Sequence, residues 1–379
     1  METPDRVALS NVKRIGILTG GGDCPGLNAV IRAVTKDAVN HGIDVFGIRD
    51  GFLGLIEDHV EPLDREKVAG IIVDGGTILG SSNKANPSAY VTGLDSAGKP
   101  IVEDVTERCM GNIDKYGLEA LVCLGGDGTM SAAAPFADRG VNCIGVPKTI
   151  DNDLWGSQLT FGFSTAVATA TDALDKVHST AASHHRTIVV EVMGRNAGWL
   201  ALHSGIASGS DVILVPEIPF EIDDVCETVR KRVARGAKGT IVCVSEGAKP
   251  KGGEQIVDRV DPTSPDPIRL GGIAKWVAGK IEDGTGIETR SVVLGHVQRG
   301  GGPVAADRVL ATRFGHAAAE LLRKGERNRL VVMQGGKLND VEIQSAANKQ
   351  RLIEPDTDDL VEAARSVYTC FGDGKTKRV

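Results

Sequence analysis

Ala120-Leu-Val-Cys-Leu-Gly-Gly-Asp-Gly-Thr129 is an unbroken apolar run closed by glycines around a single aspartate, and a helical pattern, Met130–Arg139, follows it. A strand with one wet face alternates polar and apolar residues. A run that does not alternate is covered on both faces, as happens when helices pack on both sides of a parallel sheet. The same unit recurs in both directions from this stretch. Strands are predicted at Arg14–Leu18, Ile43–Ile48, Ala120–Leu124, Asn142–Val146, Thr187–Val192, Val212–Val215, Thr240–Val244, Ser291–Leu294 and Leu330–Met333. Helices are predicted between them, at Leu27–Asn40, Met130–Arg139, Ser164–Ser183, Asp223–Arg235 and Ala305–Arg323. The fold class is α/β with mainly parallel sheets. So many strands exceed one modest sheet, and two α/β domains are expected.

Composition narrows the function. The 379 residues carry 43 Lys and Arg against 50 Asp and Glu, a net charge of −7, which argues against a general nucleic-acid binder. No apolar run is long enough to span a bilayer. The opening residues, METPDRVALSNV, lack a signal-peptide layout, so a cytoplasmic protein with no membrane or nucleic-acid partner is expected. Seven cysteines without a CxxC or a Cys/His cluster read as reduced, mostly buried thiols rather than a zinc site. Glycine is in excess, at 48 residues, and it gathers where strands turn into helices. The polar stretch Lys249–Arg269 reads as a surface excursion or a linker, and the basic Lys375-Thr-Lys-Arg378 as a solvated tail.

In open α/β sheets ligands bind beyond the carboxyl ends of the strands, and four strand ends here carry unusual chemistry. Leu18-Thr-Gly-Gly-Gly-Asp-Cys-Pro-Gly26 is either an anion cradle of backbone N–H groups or simply a tight strand-to-helix turn. It matches neither GxGxxG nor the P-loop pattern. Leu124-Gly-Gly-Asp-Gly-Thr129 presents Asp127 beside free backbone donors, which suits donor phosphates with Mg²⁺. Gly145-Val-Pro-Lys-Thr-Ile-Asp-Asn-Asp153 sets two carboxylates two residues apart, one able to take a proton while the other faces metal. Basic residues in Ser183–Arg186, Glu191–Arg195, Glu288–Arg290 and Leu294–Gly301 abut strands and could converge on one anion.

Taken together, these segments resemble the 6-phosphofructokinase family, in the same order, from about Arg14 to Gly336; Pro147–Asp153 and Leu294–Gly301 are its most telling motifs. The resemblance implies transfer of a phosphoryl group from ATP to the 1-hydroxyl of fructose 6-phosphate in glycolysis. Asp151 would be the general base, Thr149 would position substrate, Arg195 would assist catalysis, and Asp127 would hold Mg²⁺ with Asp153 near the transferring group. Gly21, Lys84, Gly126, Gly128 and Thr129 would cradle the donor, while Ile150, Met193, Gly194 and Glu246 would contact the sugar. Arg290, His296, Val297, Gln298 and Arg299 would surround the 6-phosphate, joined by Arg186 from a neighbouring subunit, so the enzyme would be a homo-oligomer. The implied architecture is two similar three-layer domains across a cleft. The donor domain would take residues 1–162 and 298–339, and the sugar-phosphate domain 163–297 and 340–379.

The sequence departs from the family pattern at several positions. ATP-using members usually have glycine at both the 128 and 148 positions, and pyrophosphate-using members Asp and Lys; here the pair is Gly128 and Lys148. An aspartate at 128 would repel the α-phosphate of ATP, so Gly128 points to ATP, with reversible pyrophosphate-dependent transfer the alternative. Asn83, beside Lys84, replaces a bridging arginine, and Phe52 replaces a tyrosine at the donor site. A regulatory pocket for ADP or phosphoenolpyruvate would draw on Arg32, Lys36, Arg235, Lys238 and Asp211, with His178 in place of an arginine.

Overall fold

A computed structural model describes residues 12–96, 98–260 and 267–375. Along the first half run strand β1 (Arg14–Thr19), helix α1 (Leu27–Asn40), β2 (Asp44–Ile48), β3 (Val60–Leu63), β4 (Ala120–Gly125), helix α2 (Asp127–Asp138) and β5 (Asn142–Thr149). Helix α3 (Phe163–His184), β6 (Thr187–Val192), α4 (Trp199–Ala207), β7 (Val212–Leu214), α5 (Ile222–Ala234) and β8 (Thr240–Ser245) follow. The chain continues with α6 (Ile273–Thr285), β9 (Thr289–Val293), α7 (Ala305–Lys324), β10 (Arg329–Gln334) and β11 (Lys337–Glu342).

Two sheets carry these strands. The larger has eight strands, in the order β11-β10-β5-β4-β1-β2-β3 with the short Phe161–Gly162 strand added on β5. Its interior is parallel, and β3 and β11 close its edges antiparallel. The smaller sheet, β7-β8-β6-β9, has four strands and is parallel throughout. The central strands β4, β6 and β8 are buried along their whole length, the physical reason their sequences do not alternate.

The two faces of each sheet belong to different cores. Ile15, Ile17, Val122, Leu124 and Ile144 of the larger sheet join Ile188, Val190, Ile241 and Cys243 of the smaller in one apolar cluster. Helices α1, α3, α4 and α7 supply much of the rest of it. The opposite faces pack separately, with Leu121, Cys123 and Val332 on one sheet and Val189, Val242 and Val244 on the other. All seven cysteines are buried and free. Among the described residues no helix is long and apolar enough to cross a membrane.

The two sheets differ in size, eight strands against four. The division expected between residues 339 and 340 falls inside β11, which runs to Glu342, and the following Ile343–Ala346 helix packs on α2, β5, β10 and β11. In the Lys249–Arg269 excursion, Val257–Val260 pairs antiparallel with Ile268–Leu270, and residues 261–266 between them lie outside the described residues. The tail from residue 376 lies outside them too.

Candidate active site

The order of the larger sheet reverses between β1 and β4, whose outward connections run to opposite sides, so the crevice beyond their carboxyl ends is a topological switch point. The two glycine loops meet there. The Gly20 N–H donates to Leu124 O (2.9 Å) and the Gly21 N–H to Ser82 O (3.1 Å), which joins both loops to the segment carrying Asn83 and Lys84. Gly21 has φ +77°, a left-handed conformation that costs a side-chain-bearing residue energy. Thr129, buried in the first turn of α2, fills the space a methyl group on Gly20 or Gly125 would take. It therefore locks the two loops against each other. Asp127 opens α2 and accepts the Gly128 N–H (2.8 Å), and Gly128 itself is exposed.

Lys148, near the end of β5, is buried, and its Nζ donates to Gly22 O (2.5 Å). Burial pulls its pKa below the ordinary lysine value, and nearby Arg299 adds to this, while Cys24, Asp151 and Asp23 oppose it. Arg299 crosses from the smaller sheet's side, with NH1 donating to Asp23 O (3.2 Å). The carboxyl ends of both sheets thus face one cleft.

The Thr149–Asp153 loop lies at its centre. Thr149 Oγ1 accepts the Asp151 N–H (3.0 Å) and donates to Asp153 Oδ1 (3.2 Å). Asn152, with φ 52°, is buried and pinned by Thr160, whose N–H donates to its Oδ1 (3.0 Å). Ile150 is fully buried in the core, so it anchors the loop. Asp151 Oδ1 is buried without a hydrogen-bond partner. Burial pushes the Asp151 carboxyl up to about 6, with Arg299 and Lys148 opposing and Glu246 and Asp127 adding to the rise. Asp153 is pushed up to about 7, by burial first and by Asp151 second. A buried, unsatisfied carboxylate oxygen among cations is suited to receive a proton.

The ends of β6, β8 and β9 form the other wall. Ser245 Oγ and the Gly247 N–H both donate to Gly194 O (2.5 and 3.1 Å), which fixes Met193–Arg195 against Glu246. Gln255 Nε2, from the excursion, donates to Arg195 O (3.0 Å). The Glu246 carboxyl is raised by burial, with Arg299 and Arg195 opposing. Gln298 is buried, and its Oε1 accepts the Met193 N–H (3.4 Å), so it ties two loops together; His296 and Val297 are exposed beside it.

Arg290 lies away from this pocket, beside Arg186, the residue expected to come from a neighbouring subunit. Arg186 precedes β6 and Arg290 is near the start of β9, at the opposite end of the small sheet from Arg195 and Arg299. Six residues of strand separate those ends, about 20 Å. Arg186 and Arg290 share one carboxylate oxygen of Glu288 (3.4 and 2.6 Å), and Arg186 Nε is buried without a partner. The expectation that Arg290 joins His296 and Arg299 therefore fails within one chain: parallel register carries the two segments to opposite sheet ends. Phe52 is also withdrawn, buried and stacked on Phe136 at 5.7 Å, because its ring completes the α2 core. Asp211 of the expected regulatory pocket is engaged by Arg232 NH1 (2.7 Å) and the Ile241 N–H (2.9 Å), and His178 Nε2 lies 2.8 Å from Ser208 O.

Comparison with known proteins places this geometry. The family model described as Phosphofructokinase matches residues 14–322. The chain is 48% identical over 367 residues to ATP-dependent 6-phosphofructokinase 2 of Clostridium perfringens, covering 96% of this chain and 99% of that protein. It is 46% identical to pyrophosphate–fructose 6-phosphate 1-phosphotransferase of Streptomyces coelicolor, covering 90% and 96%. Phosphofructokinase from Saccharomyces cerevisiae superposes with a TM-score of 0.75 at 29% identity, over 88% of this chain and 45% of that one. A glycine-lined switch point, a buried acid loop and a match spanning both sheets agree: the chain belongs to the phosphofructokinase family.

Proposed function

We propose that the protein transfers the terminal phosphoryl group of ATP to the 1-hydroxyl of fructose 6-phosphate, giving fructose 1,6-bisphosphate and ADP. The observation that carries this reading is the unpartnered, buried Asp151 Oδ1 between the glycine cradle and Arg299. Asp151 takes the hydroxyl proton as the oxygen attacks phosphorus and the bond to the leaving phosphate breaks. Ionised above about pH 6, it is a stronger base than a solvated aspartate. Lys148, Lys84 and the N-terminus of α2 offset the donor's negative charge, and Thr149, Glu246, Met193, Gly194 and Arg195 orient the sugar. Asp127 is suited to hold Mg²⁺ together with phosphate oxygens, since this ion normally takes only one or two protein carboxylates in such sites. Bound there, Mg²⁺ supplies charge neutralisation at the donor phosphates. The deciding assay measures fructose 1,6-bisphosphate from fructose 6-phosphate and Mg²⁺ with ATP or pyrophosphate. A rate with pyrophosphate alone replaces ATP by the second reading, which Lys148 supports.

Lys148→Ala is expected to lower kcat by about 10²-fold, the usual effect of losing one preorganised charge at a reacting centre. The melting temperature should move little, since a desolvated ammonium is lost along with its one hydrogen bond. Steady-state kinetics beside thermal unfolding test this, and an unchanged kcat refutes it.

Arg186 and Arg290 point away from their own chain's cleft, so in this reading a neighbouring copy supplies both to the 6-phosphate and the enzyme is a homo-oligomer. Mixing the inactive variants Asp151→Asn and Arg290→Ser, with subunit exchange, should then recover activity that neither has alone. No recovery from confirmed hybrids counts against a shared site.

A further inference from the structure

After the Ile343–Ala346 helix the chain crosses the outside of the Thr149–Asp153 loop, and here Arg351 holds the loop's backbone in place. Its main-chain N–H donates to Asp153 O (2.7 Å), and its side-chain NH1 donates to Asn152 O (2.9 Å). Its guanidinium carbon lies 3.8 Å from the centroid of the Trp199 ring, and Trp199 Nε1 returns a hydrogen bond to Arg351 O (2.9 Å). One residue earlier, Gln350 Nε2 donates to Asp153 Oδ2 (3.1 Å), opposite the Thr149 hydroxyl on Oδ1 (3.2 Å). Behind them Glu217 accepts N–H groups from both Ile353 (3.1 Å) and Gly198 (3.0 Å), which binds this segment to the start of the helix carrying Trp199.

The loop needs such support. Asn152 sits at φ 52°, in the left-handed region that a side chain disfavours, and Asp151 and Asp153 are like charges in a buried place. Both effects drive the loop to open.

We propose that Arg351 is a positioning residue for phosphoryl transfer: its guanidinium, seated on Trp199, clamps the Asn152 carbonyl so that the two flanking carboxylates, Asp151 and Asp153, keep their aim. The proposal rests on the phosphotransfer reading above. Arg351 touches no reacting atom, so its loss should appear in kcat, not in sugar binding. A displacement of about 1 Å in such a site costs about a hundredfold in rate.

The test compares Arg351→Met, which keeps the aliphatic stem, with Arg351→Lys, which keeps a cation for the Trp199 face and one donor for Asn152 O. Arg351→Met should lower kcat about a hundredfold while KM for fructose 6-phosphate stays within about threefold. It should also speed amide hydrogen exchange in the 150–160 peptide, and Arg351→Lys should restore much of both. Should the Met variant fail to fold, Gln350→Ala removes only the side-chain donor to Asp153 and should lower kcat about tenfold. A kcat kept near wild type in the folded variants overturns the proposal, as does equal damage in Met and Lys with unchanged exchange. Wild-type protein inactive on fructose 6-phosphate would instead sink the phosphotransfer reading, while the exchange comparison still decides whether Arg351 holds the loop.

Discussion

Asp151→Asn is expected to reduce turnover by about 10³-fold or more, within the upper range for loss of a general base, in a protein no less stable than the parent. The amide fills the same volume but cannot accept the hydroxyl proton, so the chemical step loses its base while the sugar and donor contacts remain. The pH dependence has a definite sign. Burial raises the Asp151 carboxyl to about 6, so kcat/KM in the parent should fall as pH drops through about 6, where the base becomes protonated. Because Asp153, raised to about 7, interacts with Asp151, the acid limb belongs to the pair and should be broader than a single titration.

Stability follows the opposite course. The folded pKa of Asp151 lies above its unfolded value of 3.8, so this group's contribution is fully present below about 3.8 and is lost as pH rises through about 6. Asparagine has no such loss. At pH 8 the variant should therefore melt at the same temperature as the parent or higher, despite being inactive. Kinetics from pH 5 to 8.5 and scanning calorimetry at pH 5 and 8 test both halves. A variant retaining a tenth of the parent kcat would remove Asp151 from the role of base.

Most of this arrangement is legible in the chain because burial leaves a mark on composition. Strands β4, β6 and β8 are covered on both faces and read as apolar runs; the predicted Leu27–Asn40 helix matches α1 end to end, and Thr187–Val192 matches β6. Glycine clusters mark the loops at the switch point because Thr129 and Arg299 pack against Gly20, Gly22 and Gly125 too closely to admit a side chain there. The antiparallel strand β11, Lys337–Glu342, was not among the predicted strands, since a half-exposed edge carries a weak polar pattern. Helix α6, Ile273–Thr285, was missed as well, although its N-terminus is held from a distance by the buried Glu191, whose Oε2 accepts the Ala274 N–H (2.9 Å). Glu191 looked like part of a basic binding segment, and only the fold gives it a helix to cap. The misplacement of Arg290 has the same origin. Glu288–Arg290 and Leu294–Gly301 are neighbours in sequence, yet the extended strand between them carries their side chains to opposite ends of a sheet. Arg351 gave no local signal at all, because its importance comes from what folds against it.

Gly128→Asp should switch the donor. Nothing lies within 4 Å of a Cβ added at Gly128, and the position is exposed in the first turn of α2, so an aspartate fits without displacing a neighbour. An acid in that turn is also favoured by the helix dipole, so folding should be unaffected or slightly helped. The consequence falls on the ligand. The new carboxylate would stand beside Asp127 at the mouth of the cradle, facing the phosphates of a bound nucleotide. Two unit charges about 4 Å apart repel by about 4 kcal/mol at an effective dielectric near 20, and exposure to solvent and salt reduces this to about 2–3 kcal/mol. That corresponds to a fall of about a hundredfold in kcat/KM for ATP. Pyrophosphate has no α-phosphate to meet the carboxylate, and Lys148 remains at Gly22 O to receive a small inorganic leaving group. The variant should therefore keep its rate with pyrophosphate, or gain one, and the ratio of the two donors should move by two orders of magnitude while KM for fructose 6-phosphate stays within about twofold. Parallel assays on parent and variant read this ratio directly. If ATP is used as well after the substitution as before, repulsion at this position does not select the donor. Control would then lie with Lys148, whose ammonium sits on the facing glycine loop at Gly22 O.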